Sequence, residues 1–232
     1  MVTMRRLRNI EHVLAVARLL GALADEVAFV GGASVALLLT DPAAPDVRPT
    51  LDVDVIVEAA TRAAYYRVAD RLRARGFAED MDVVCRWRHG TLALDVMPTD
   101  DAILGFSNRW YADALRHAVS MTVDGVTLRV AAPAYFLATK LEAFRGRGKG
   151  DYLTSHDMED LVAVLDGRPD ILDEVQAADA AVRGYLAAAF AALLADDDFL
   201  DALPGYLPPD PASQGRVPLL MQRMRAITTG GA

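Results

Sequence analysis

The chain is expected to fold as α+β: a short mixed sheet with flanking helices, then a helical C-terminal part. Short apolar runs, several with two-residue alternation, cluster before residue 131. Asp124-Gly125 and His89-Gly90 join pairs of them as hairpin turns. From Pro133 onward helical spacing dominates, broken by the proline-rich loop 204–211. A soft boundary near 131 separates a sheet-bearing core, residues 1–131, from a helical domain, residues 132–232, expected to complete the active-site cleft.

Ile10, Val13, Leu14, Ala17 and Leu20 follow helical spacing and predict an amphipathic first helix. Arg5, Arg6 and Arg8 precede it, but Glu11, His12 and Arg18 interrupt the apolar run that a signal peptide needs. Val27–Val30 reads as a buried strand that turns through Gly31-Gly32-Ala33-Ser34 into a helix to Leu39. This apolar stretch is too short to span a bilayer. A loop over 41–49 leads to an alternating strand, 51–57. Thr61 caps a helix to Arg75, and Gly76 stops it. Strands 83–88 and 91–97 form a hairpin across His89-Gly90, residues 109–117 read as a helix, and strands 119–123 and 126–130 flank Asp124-Gly125. Pro133 opens a helix to Phe144. A loop rich in Gly and Arg, 145–154, leads to a helix over 155–165 closed by Gly167.

With 53% hydrophobic and 24% charged residues, the 232-residue chain has material for a sizeable core, which excludes wholesale disorder. A net charge of −8 excludes a generally basic nucleic-acid coat but leaves room for a local basic patch. The single cysteine, Cys85, cannot form an internal disulfide, so a reducing, cytoplasmic setting is expected. Four scattered histidines supply no zinc-ligand spacing.

The informative segment is 48–57, Arg-Pro-Thr-Leu-Asp-Val-Asp-Val-Ile-Val. Strand side chains alternate faces, so Asp52 and Asp54 share one. Adjacent carboxylates on a half-buried strand need protons or a cation, and hard oxygen ligands suit Mg²⁺ or Mn²⁺. Two readings stay open here, a metal site and a solvated strand face. Asp95 lies inside the otherwise apolar run 91–97. If its strand neighbours that of Asp52 and Asp54, three carboxylates converge in a two-metal arrangement; otherwise Asp95 faces solvent or caps a turn. Gly31, Gly32 and Ser34 sit where a strand enters a helix, which is either a tight turn or a phosphate cradle of backbone amides and the Ser34 hydroxyl. Lys140 lies in an apolar helix, as a snorkelling surface residue or a compact cation for triphosphate. Asp157 and Asp160 share a helix face, either as an exposed acidic stripe or as site residues. Arg145, Arg147 and Lys149 form a cationic strip.

These motifs resemble the DNA-polymerase-β-like nucleotidyltransferase superfamily: a Gly-Gly-x-Ser turn, a strand with Asp-x-Asp, and a third acidic residue on a later strand. The Arg-x-Thr-x-Asp-x-Asp form over 48–54 is similar to the AbiEii/AbiGii (MenT-like) toxin branch. That branch also carries a lysine matched by Lys140, and a basic loop before Asp-x-x-Asp matched by 145–149 and Asp157 to Asp160. His156 stands where the family often has lysine. The resemblance covers residues 28–168 and leaves the C-terminal helices without a motif.

The resemblance implies a metal-dependent nucleotidyltransferase that moves a nucleoside monophosphate from a nucleoside triphosphate to RNA, in particular the tRNA 3′ end. It would act as a toxin in a toxin–antitoxin or phage-defence system, with an antitoxin protein as partner. Asp52, Asp54, Asp95, Lys140 and Asp157 would be catalytic, the first three as ligands of Mg²⁺ or Mn²⁺. Gly31, Gly32, Ser34, Arg48, Thr50, Lys140 and Asp160 would bind nucleotide, and Arg145, Arg147 and Lys149 would bind RNA. No membrane association is expected. Two alternatives are an aminoglycoside-type small-molecule nucleotidyltransferase, which the acidic balance suits, and a non-catalytic relative that binds nucleotide or a partner protein.

Overall fold

Two-residue alternation organises the first of two units, residues 2–36 and 48–132; the second comprises residues 37–47 and 133–232. The structure, a computed structural model, describes residues 4–148 and 150–230. Seven strands of the first unit form one mixed sheet: β1 (Val27–Val30), β2 (Asp52–Val57), β3 (Ala78–Glu79), β4 (Arg86–His89), β5 (Leu92–Pro98), β6 (Val119–Val123) and β7 (Val126–Val130). Their order is β3-β4-β5-β2-β1-β7-β6. β1 runs antiparallel to β2 and parallel to β7, while β2 runs parallel to β5.

β1 lies inside the sheet, between β2 and β7, with all four residues buried, which is why it reads as a continuous apolar run. β2 alternates: Val53 and Val55 are buried, whereas Asp52 and Asp54 are half-buried. Helix α1 (Met4–Leu20) buries Val13, Leu14, Val16, Ala17 and Leu20 and packs on β2, β5 and β7. A short 3₁₀ turn, Gly21–Glu26, carries the chain into β1. Helix α2 (Gly31–Leu38) begins directly after β1. Helix α3 (Arg62–Ala74) starts where the Thr61 side chain accepts from the Ala64 amide at 3.1 Å. Tyr65 of α3 donates to the Val96 carbonyl at 3.2 Å. Two elements lie outside the sequence expectation. β3 is two exposed residues long, too short for alternation to register. Helix α4 (Asp101–Leu104) is a single turn, capped by the Asp100 carboxylate and closed by Gly105 at φ +82°. Helix α5 (Tyr111–Arg116) packs on β1 and β2.

The β4–β5 turn also differs. The loop residues are Gly90 and Thr91, not His89 and Gly90, because His89 pairs with Leu92 in the ladder. The His89 ring packs on Phe77, centroids 5.3 Å apart. Gly90, at φ +59°, takes the first loop position, where the turn needs a residue that tolerates positive φ. This two-residue change in pairing sets Arg86 opposite Asp95, where a turn at His89-Gly90 would have set Val84.

In the second unit the elements are α6 (Pro133–Arg147), α7 (His156–Gly167), α8 (Ile171–Ala177), α9 (Ala180–Leu194), α10 (Asp197–Ala202), α11 (Pro211–Gln214) and α12 (Val217–Thr229). α6 runs past Phe144 to Arg147, so Arg145 and Arg147 are helical rather than part of the expected loop. It packs against α7, α8 and α9, which accounts for its apolar composition on all sides. α12 packs on the same three helices. The last turn of α7 would leave carbonyls without partners. Arg223 donates to the carbonyls of Leu165 and Asp166, and the amides of Thr40 and Asp41 both reach that of Gly167 at 2.9 Å. Arg216 then joins the Asp166 and Asp41 carboxylates, each at 2.7 Å. Among the described residues, no helix is long and apolar enough to cross a membrane.

The β1–α2 turn yields a stability prediction. Gly31 sits at φ +75°, and a Cβ there would fall 1.9 Å from Asp54 Oδ2. Gly90 also has positive φ but opens onto empty space. In urea denaturation, Gly90→Ala should cost about 1–2 kcal/mol, the left-handed penalty alone. Gly31→Ala should cost roughly a further 1–3 kcal/mol for the steric conflict.

Candidate functional site

In the first unit, the parallel pairing of β2 and β5 sets Asp54 directly opposite Asp95 and Asp52 opposite Ala93. Paired residues on neighbouring strands point to one face, with strands about 5 Å apart. Asp52, Asp54 and Asp95 therefore share a face of the sheet. Val53, Val55, Leu94 and Val96 occupy the other face and are buried.

Arg86 of β4 completes this cluster. Its Nε donates to Asp95 Oδ1 at 2.7 Å and its Nη2 to Asp95 Oδ2 at 2.9 Å, a bidentate pair. The same Nη2 reaches Asp52 Oδ2 at 2.5 Å. The Asp95 side chain is 12% exposed and that of Arg86 21%, so little water screens the pair. The hydrogen bonds that Arg86 donates to Asp95 hold its proton even more firmly than usual. Arg88, two residues on, is turned to Asp80 instead. Burial, together with the Asp95 charge, pushes the Cys85 thiol up to about 11, so it is no nucleophile.

The glycine turn lies against this face. Gly31 leaves no gap for a side chain before the Asp54 carboxylate. Gly32 is held the same way: a Cβ there would meet Arg48 Nη2 at 2.2 Å and Thr50 Cγ2 at 2.8 Å. Gly31, Gly32, Arg48, Thr50 and Asp54 thus come together. Ser34 is turned away from them. It is fully buried, and its hydroxyl donates to the Val30 carbonyl at 2.8 Å, where it serves the helix start rather than a ligand.

Two residues with no place in the sequence motifs shape the site. Arg86 is one; the signal for it was the hairpin register, which hinges on the loop position of Gly90. Asn9 is the other, a polar residue on the buried stripe of α1. Its Nδ2 donates to the Arg48 carbonyl at 2.9 Å, and its Oδ1 accepts from the Thr50 amide at 3.2 Å and the Thr50 hydroxyl at 3.3 Å. Asn9 thereby fixes the segment that enters β2.

Lys140, Asp157 and Asp160 assemble separately, inside the second unit. Lys140 Nζ donates to Asp160 Oδ2 at 2.6 Å and Asp157 Oδ1 at 3.2 Å. All three side chains are buried, so Lys140 does not snorkel and Asp157 and Asp160 are no exposed stripe. Arg147 also forks onto Asp157, at 2.8 and 2.9 Å. Burial acts to raise the Asp157 pKa, but the Arg147 hydrogen bonds and the Lys140 charge outweigh it and hold the carboxyl below its usual range. Arg147 thus pairs with a buried carboxylate while its own side chain stays 72% exposed. The Arg145 guanidinium lies over the Tyr185 ring at 5.1 Å, and Lys149 lies outside the described residues.

As donors, Asp52 and Asp54 fit a divalent cation: hard oxygens on one strand face, beside a glycine turn without side chains. Asp95 differs as a third ligand: both its oxygens accept from Arg86, whose fixed positive charge opposes a dication beside it. Among the described residues, no group of three or more His, Cys, Asp or Glu side chains is arranged to hold a metal ion.

No protein-family model matches the chain, and no curated protein matches it. Among solved structures, it is similar to one described as an antigenic nucleotidyltransferase-like protein from Paracoccidioides brasiliensis. The TM-score is 0.50 at 20% identity, over 87% of this chain and 94% of that one. At this identity the likeness is one of fold: the chain has the fold of a nucleotidyltransferase-like protein.

The buried cluster of the second unit gives a stability prediction with a pH signature. Lys140→Met removes the cation shared by Asp157 and Asp160, and should cost about 3–5 kcal/mol at neutral pH. The Asp157 pKa is lowered in the wild type, so its contribution is present above the unfolded carboxylate pKa and is lost as pH falls through the folded one. The variant keeps Arg147 but loses the Lys140 charge. Urea midpoints measured from neutral pH to below the ordinary Asp value of 3.8 should therefore converge, the gap narrowing chiefly below that value as acid neutralises the carboxylates.

Proposed function

We propose that the chain is a nucleotidyltransferase that moves a nucleoside monophosphate from a nucleoside triphosphate to RNA, with the tRNA 3′ end as acceptor and growth arrest as the outcome. The observation that carries this reading is the contact of Gly31 with Asp54. It puts a side-chain-free helix start, suited to phosphate oxygens, against a strand bearing two carboxylates. The shared nucleotidyltransferase-like fold and the Arg-x-Thr-x-Asp-x-Asp form of 48–54 support it.

Asp52 and Asp54 would hold Mg²⁺ or Mn²⁺, which when bound neutralises triphosphate charge and polarises the α-phosphorus for in-line attack. The chain's own residues do the rest. Amides at the Gly31–Gly32 turn receive phosphate oxygens. Arg48 lies against Gly32 and adds positive charge there. Thr50, anchored by Asn9, keeps the strand entrance rigid. The acceptor hydroxyl gives its proton to solvent as its oxygen attacks the α-phosphorus, the bond to the bridging oxygen of the β-phosphate breaks, and pyrophosphate leaves. By resemblance Lys140, Asp157 and Asp160 belong to the same chemistry, and their variants belong in the same assay.

One observation favours a second acceptor class. Arg147 is paired with Asp157, which offsets part of the charge of the strip proposed to meet RNA. A small cationic acceptor of aminoglycoside type suits an acidic protein better.

The test is incubation with each of the four α-labelled nucleoside triphosphates, Mg²⁺, and either total tRNA or an aminoglycoside panel. Label should pass to tRNA with one nucleotide preferred, and Asp54→Ala should lower transfer about 10²-fold or more and abolish growth arrest on expression. Label on the drug, with resistance and no arrest, assigns the second acceptor. No transfer to either under any nucleotide rejects the enzymatic reading.

A further inference from the structure

Resting on that reading, we infer that Arg86 stands in for a second divalent cation, so that the site takes one metal ion, on Asp52 and Asp54, and Asp95 serves as the anchor of Arg86 rather than as a ligand. The geometry is specific. Asp95 spends both oxygens on one guanidinium, at 2.7 and 2.9 Å. The same guanidinium extends past it to Asp52 Oδ2. A single fixed cation therefore bridges the two carboxylates between which a second metal would have to sit.

Three features make this a built arrangement. Arg86 and Asp95 are direct partners in the β4–β5 ladder, so backbone pairing holds both ends of the bidentate bond. The pair is mostly shielded from water. Arg88, the neighbouring arginine on that face, is engaged by Asp80 and does not compete for Asp95. A guanidinium cannot be displaced by deprotonation near neutral pH. For Asp95 to ligate a metal, a dication must either sit within a few ångströms of the fixed guanidinium charge, which repels it, or displace the bidentate pair. Asp52, by contrast, gives Arg86 only Oδ2, so it can turn its other oxygen to a cation while Arg86 fixes its rotamer. Arg86 is thus a positioning residue for Asp52 and the resident countercharge of the site.

Mn²⁺ titration followed by electron paramagnetic resonance, without nucleotide, tests this directly. The wild type should bind one Mn²⁺ per chain. Arg86→Ala removes the repelling charge and releases Asp95 as a ligand, and should bind Mn²⁺ about tenfold or more tightly, with a second equivalent appearing. The double variant Arg86→Met/Asp95→Asn replaces the ion pair by neutral side chains of similar size, a change that folded proteins often tolerate. It should still bind one ion no more weakly than the wild type. Two ions in the wild type, loss of the ion in the double variant, unchanged binding in Arg86→Ala, or no binding in any form would each overturn the inference. Because the readout needs no nucleotide, the two proposals separate. Failed transfer with this Mn²⁺ pattern intact rejects the function alone, and active transfer with two ions in the wild type rejects the role of Arg86 alone.

Discussion

A carboxylate on a covered sheet face needs a fixed positive charge, and the site depends on how this chain meets that need. Asp95 is nearly buried within an apolar strand, and an ionised group there is costly unless paired and hydrogen-bonded. Arg86 supplies both the charge and two hydrogen bonds, and reaches Asp52 with what remains. The orientation of Asp52 is thereby coupled to the register of a hairpin on the neighbouring strand. Lys140 plays the same part for Asp157 and Asp160, and Arg216 for Asp166 and Asp41. The fold keeps these acids in pairs that share one cation, a structural requirement in a chain of net charge −8.

Close approach is the second constraint. Gly31 and Gly32 are in the chain because Asp54, Arg48 and Thr50 occupy the space that side chains would take. Asn9 adds rigidity from below, since three hydrogen bonds tie the segment entering β2 to the first helix. A site whose backbone and carboxylates are held by these means does not have to organise itself when a ligand arrives, and such preorganisation is where electrostatic catalysis gains most.

The nucleotidyltransferase-like fold frames this arrangement without assigning a substrate. Folds host many chemistries, so the functional reading has to come from named side chains. Here Asp52 and Asp54 present hard oxygens on one face, Arg86 pairs with Asp95 and with one oxygen of Asp52, and the exposed Arg147 pairs with Asp157.

Much of the architecture was legible in the residues. Alternation located β2, the Asp124-Gly125 turn located β6 and β7, helical spacing located α1, and Thr61 marked the start of α3, which the structure caps in that way. The shared face of Asp52 and Asp54 follows from strand periodicity alone, because successive side chains must alternate. The pairing of β2 with β5, the bidentate hold of Arg86 on Asp95 and the anchoring by Asn9 do not follow, because each joins segments far apart in the chain or hinges on which two residues form a turn. Placing the loop at Gly90-Thr91 instead of His89-Gly90 exchanges Val84 for Arg86 opposite Asp95. Local sequence determined which side chains point together; long-range pairing decided which of them already have a partner, since charge compensation is a property of space and not of sequence order.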